Sequence, residues 1–122
     1  MSDKARKAGY APVGGLELYY EIHGSGRPLV VLHGGLGTID WPIGPLLPAL
    51  ARTRQVVAVE LQGHGRTADI DRPLEYTAMA DDIGGLIRHL GLGPADLFGF
   101  SLGGGVALQT AIRHPETVRR LV

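Results

Sequence analysis

Three short apolar runs, Pro28 to Leu32, Gln55 to Leu61 and Ala95 to Phe100, alternate with stretches of helical periodicity, and this constrains the fold more than any other feature. The first two place Leu29, Val30, Val31 and Leu32, and then Val56, Val57, Ala58 and Val59, on successive positions. Such runs read as strands buried on both faces, as in a parallel sheet. Helices are expected over Pro42 to Ala51, Thr77 to Leu90 and Leu102 to His114, the first weakened by Pro48 and the second by Gly84 and Gly85. Ahead of them, Tyr10 to Val13, Gly14-Gly15 and Leu16 to His23 read as a hairpin, with Leu16, Leu18, Tyr20 and Ile22 on one face. Val118 to Val122 opens a further strand. The order β-β-β-α-β-α-β-α-β predicts an α/β fold, an N-terminal β-hairpin followed by a mostly parallel sheet with flanking helices.

Composition narrows the function classes. The chain has 122 residues, 44% of them apolar, enough for one compact domain or part of one and too apolar for extended disorder. Twelve basic side chains balance 12 acidic ones, so no basic surplus points to nucleic acid. With no cysteine there is no disulfide frame, thiolate metal site or cysteine nucleophile. No histidine or carboxylate cluster has metal-ligand spacing, no P-loop or dinucleotide fingerprint occurs, and no apolar run approaches the roughly 18 residues of a membrane span. A cytoplasmic location is expected. Residues 1–9 are charged and read as a disordered tail, with structure starting near Tyr10.

The chemistry concentrates in Gly99-Phe100-Ser101-Leu102-Gly103-Gly104, between an expected strand and an expected helix. A serine on so sharp a turn is lifted clear of the backbone, and the turn crowds the positions two before and two after it, both glycine here. The competing structural reading is a glycine-rich helix start with Ser101 as its cap. His33-Gly34-Gly35 ends an earlier strand, and its glycines allow an N–H to be aimed at a developing oxyanion. Gly35 is the candidate donor, with Leu36 close behind. Because ligands gather at the carboxyl ends of parallel strands, both loops fall on one edge. Leu36 and Trp41 are candidate pocket residues, Trp41 having a core or helix-start anchor as its alternative role.

Together with Gly63-His64-Gly65-Arg66-Thr67 and Arg113-His114-Pro115-Glu116, these motifs make residues 10–122 resemble the N-terminal portion of an α/β-hydrolase fold domain. The resemblance implies Ser101 as nucleophile, the Gly35 and Leu102 N–H groups as oxyanion hole, and no metal or organic cofactor. Gln62 departs from the family, which often has arginine there, and Glu60 stands where aspartate is common; the loop is expected to shape the fold more than the reaction. An aspartate in place of Ser101 would have pointed to dehalogenase or epoxide hydrolase chemistry.

By the same resemblance, the catalytic acid and histidine should follow the nucleophile, and neither is found in this chain. His114 stands 13 residues past Ser101, ~20 Å along a regular helix, and reads as a helix C-terminal residue. His64 reads as a packed turn residue, His33 as a support for the oxyanion loop, and His23 and His89 as surface or element-end residues. One expectation is a truncated serine hydrolase acting on an ester, lactone or related acyl bond of a small molecule. The other is a catalytically inactive half-domain that binds partners or self-associates through an open sheet edge.

Overall fold

A computed structural model describes residues 6–122. Its strands are β1 (Lys7–Val13), β2 (Leu16–His23), β3 (Arg27–Leu32), β4 (Arg54–Val59), β5 (Ala95–Gly99) and β6 (Val118–Leu121). The helices are α1 (Leu47–Leu50), α2 (Tyr76–His89) and α3 (Leu102–Arg113). All six strands form one sheet in the order β1-β2-β4-β3-β5-β6. β1 and β2 pair antiparallel, as do β2 and β4, while β3 pairs parallel with β4 and β5, and β5 with β6.

The hairpin closes through Gly14 and Gly15, both at positive φ (58° and 81°), the backbone shape that a two-residue turn between twisted strands demands. β1 begins at Lys7 rather than near Tyr10, with Lys7, Ala8 and Gly9 opposite Ile22, Glu21 and Tyr20. The disordered tail expected to reach residue 9 is therefore corrected for residues 7–9, because ladder pairing uses the main chain and needs no apolar side chain. Arg6 extends the pairing, its N–H donating to the Ile22 carbonyl at 2.7 Å, and residues 1–5 of that tail lie outside the described residues.

Both faces of the central strands are buried. Val30, Leu32, Val57 and Val59 pack with Met79, Ile83, Leu86 and Ile87 of α2 and with Val106 and Ala107 of α3. On the other face, Leu29, Val31, Val56 and Ala58 pack with Ile39, Ile43 and Leu47. Burial on two faces thus explains the unbroken apolar runs. The helix expected over Pro42 to Ala51 shrinks to a 3-10 turn at Gly44–Leu46 and the single turn of α1. Pro45 and Pro48 lack the N–H groups that would extend it. Among the described residues no helix is long and apolar enough to cross a membrane.

Candidate active site

Ser101 occupies the corner between β5 and α3 at φ 54°, ψ −113°, a conformation that costs an L residue energy. Two close approaches fix the corner. A Cβ on Gly99 would collide with the Gly103 carbonyl oxygen, and one on Gly103 with the carbonyl oxygens of Leu32 and, at 2.6 Å, His33. The Phe100 N–H donates to the Leu32 carbonyl at 3.1 Å, so the corner hangs directly beside the end of β3. Ser101 is exposed, and its side chain makes no capping hydrogen bond to α3. The helix-cap alternative is thereby excluded.

Gly35 comes to the same place. A Cβ built on it would lie 3.8 Å from Leu102 Cδ2, so the two candidate oxyanion donors belong to residues that lie side by side. The Gly34 carbonyl accepts the Gly37 N–H at 3.0 Å and the His33 Nδ1–H at 2.7 Å. In a trans peptide the N–H points opposite the carbonyl, so this double grip turns the Gly35 N–H away from His33. Among the described residues the N–H groups of Gly35, Leu36 and Leu102 donate to no protein acceptor. Leu36 sits at φ 62° and is fully exposed, and Trp41 is 70% exposed. Among the described residues, therefore, neither side chain is packed into the two cores. Phe100, not singled out by the motif, lays its ring where a Gly34 side chain would stand, 2.9 Å from that Cβ position. A glycine preceding Gly35 was the available signal for this.

Four of the five histidines are committed elsewhere. His33 is fully buried and accepts the Leu61 N–H through Nε2 at 3.0 Å, which leaves Nδ1 as the protonated nitrogen. Burial pushes its pKa down, keeping the ring neutral. His64 packs beside it, ring centres 4.9 Å apart, with Nδ1 bonded to the Gln62 carbonyl. His23 pairs with Glu21 at 2.9 Å. At the far end of α3, His114 bonds Asp81 at 2.6 Å and Arg88 at 3.0 Å. Gln62 is buried and bonded to Asp69 and Arg72, and Arg72 also pairs with Asp82, so this departure serves to anchor the segment between β4 and α2.

Glu60, also fully buried, is surrounded by donors. It accepts the Ile39 N–H at 3.1 Å, the Arg66 N–H at 2.7 Å and two Arg66 guanidinium bonds at 2.9 and 2.8 Å. Burial raises its pKa, but the bonds from Arg66 and Ile39 outweigh burial and hold the carboxyl below its ordinary value.

Comparison with known proteins gives the family. A family model described as alpha/beta hydrolase fold covers residues 27–122, and the chain belongs to that family. It is 42% identical over 102 residues to a 2-hydroxymuconate semialdehyde hydrolase of a Pseudomonas species, covering 81% of this chain and 36% of that protein. It is 36% identical over 113 residues to a putative carbamate hydrolase of Azorhizobium caulinodans, covering 92% and 42% respectively. Among solved structures it superposes on the epoxide hydrolase CorEH with a TM-score of 0.87 at 33% identity, covering 94% of this chain and 40% of that one. A meta-cleavage product hydrolase from Pseudomonas fluorescens gives 0.86 at 27% identity, covering 96% and 43%. The chain therefore spans less than half the length of these relatives.

Proposed function

We propose that the protein is a serine hydrolase acting on an ester, lactone or related acyl bond of a small molecule, with Ser101 as nucleophile. The observation that carries the reading is the strained, exposed Ser101 at a strand-to-helix corner, with Gly35 close to Leu102 beside it. The serine oxygen would attack the substrate carbonyl carbon while its proton passes to a base. The oxyanion would be held by the Gly35 and Leu102 N–H groups, the second at the positive end of α3. Collapse would expel the leaving group with a proton and form an acyl-serine, which water then releases as the acid. The base and its carboxylate would come from sequence beyond residue 122, as the share of the relatives' length spanned here suggests.

The carbamate in one relative's name is a carbonyl carbon bearing groups that can leave, which supports the acyl reading. The epoxide hydrolase likeness is taken as a likeness of fold, since this corner holds a serine. Labelling of the full chain by a fluorophosphonate tests the proposal. A single adduct on Ser101, lost in Ser101→Ala together with hydrolysis of short acyl esters, is expected. Ester hydrolysis that survives Ser101→Ala would refute it.

A further inference from the structure

The two loops at the carboxyl edge are tied together at adjacent residues just past β4. The Leu61 N–H grips His33 from one side, and the Glu60 carboxylate grips the Ile39 N–H from the other. Gly35 lies between these tie points. Beyond them the stretch is held by short local bonds, Gly37 N–H to the Gly34 carbonyl and Thr38 N–H to the Trp41 carbonyl, and by the buried Ile39 side chain. A buried carboxylate is tolerated only when surrounded by donors, and every partner of Glu60 is one. Arg66 is fixed in turn, 4.2 Å above the Tyr19 ring and 3.5 Å from Glu21. Two contacts carry this cluster to the end of the oxyanion loop, the bond to Ile39, which reaches 21 residues back along the chain, and the exposed ion pair of Arg66 with Asp40 at 3.5 Å.

We infer that Glu60 is a positioning residue for the oxyanion loop, its carboxylate setting the path of residues 33–39 so that Gly35 rests against Leu102. The inference deepens the hydrolase reading and depends on it only for the kinetic part of its test. Glu60→Gln is the sharp perturbation. It keeps the volume, but its amide NH2 must face a donor in either orientation, because Ile39 and Arg66 offer only N–H groups.

In the full chain, Glu60→Gln is expected to speed hydrogen exchange at the Ile39 amide, which loses its acceptor, and at the Gly37 amide of the same loop. It should lower kcat on an acyl ester about 100-fold with KM within about threefold, since oxyanion contacts act in the transition state. Glu60→Asp keeps the charge with a shorter reach and should fall between. A folded Glu60→Gln protein with unchanged exchange and kcat overturns the inference. So does an Ile39 amide in the unsubstituted protein that exchanges as fast as an exposed loop amide, a measurement that needs no variant to fold. If hydrolysis instead survives Ser101→Ala, the hydrolase reading fails while the exchange results still decide the role of Glu60.

Discussion

Replacing Ser101 with glycine should make the fold more stable while removing the proposed nucleophile. A side chain held at φ 54°, ψ −113° is strained, by about 1–3 kcal/mol for conformations of this kind. Glycine reaches the same backbone shape without the Cβ clash. Against that gain stands glycine's larger unfolded ensemble, about 0.4–1 kcal/mol. The hydroxyl makes no capping bond that would be lost. A net gain of about 1 kcal/mol follows, or about 3–6 °C in Tm for a domain of this size. Ser101→Ala keeps the Cβ and so keeps the strain. Urea and thermal unfolding of the two variants side by side isolates the backbone contribution, since both lack the hydroxyl. If Ser101→Gly proves no more stable than Ser101→Ala, the corner is not strained and the reasoning from its dihedral angles fails.

Gly103→Ala should destabilise by about 3 kcal/mol or more, since its Cβ meets two main-chain carbonyls that cannot move without shifting β3; urea midpoints measure this. Gly84→Ala inverts the usual helix rule: alanine is about 1 kcal/mol better in an exposed helix interior, but here its Cβ would stand 2.9 Å from the His114 ring, so unfolding experiments should show no gain. His33→Ala should cost about 3 kcal/mol through a buried cavity and the lost partners of the Gly34 carbonyl and Leu61 N–H, read from the same midpoints. Asp81, bonded by Arg113 and His114, has its pKa lowered from 3.8 to about 2. A lowered carboxyl pKa stabilises the fold above the ordinary value and loses that effect as pH falls through the folded one. The stability difference between the native protein and Asp81→Asn should therefore be widest above about pH 4 and close by about pH 2, as pH-dependent urea unfolding would show.

The strands were legible because their determinants are local. Val56 to Val59 is apolar at every step whichever strands flank it, and Gly14-Gly15 closes a hairpin from its own dihedral preferences. The helix expected near Pro42 to Ala51 was misjudged for a related reason. Leu46, Leu47 and Leu50 have helical spacing, yet that spacing also serves a 3-10 turn followed by one α turn, with Leu47 alone fully buried in the second core. Spacing counts apolar positions and is silent about the hydrogen bonds that Pro45 and Pro48 withhold. At the N-terminus the error runs the other way: Lys7, Ala8 and Gly9 bring no apolar pattern to the ladder, so composition gave no sign of a strand that main-chain pairing alone builds.

The site divides along the same line. Ser101, Gly99 and Gly103 announce the corner because its crowding acts within five residues, and crowding at that range must be answered by residue type at those positions. Glu60 could not be read that way. Its bond to Ile39 spans 21 residues and exists because β3 and β4 run parallel and side by side, which places their exits on one edge. A glutamate among Val59, Leu61 and Gln62 is conspicuous only as a charge in an apolar run. Burial without a partner is what such a charge cannot sustain, so its position does predict that donors must converge on it. Arg66, six residues on, is a donor that local sequence could have supplied. The Ile39 N–H is one that only the sheet could bring, and with the Arg66–Asp40 pair it links a loop-closing ion pair to the candidate oxyanion loop.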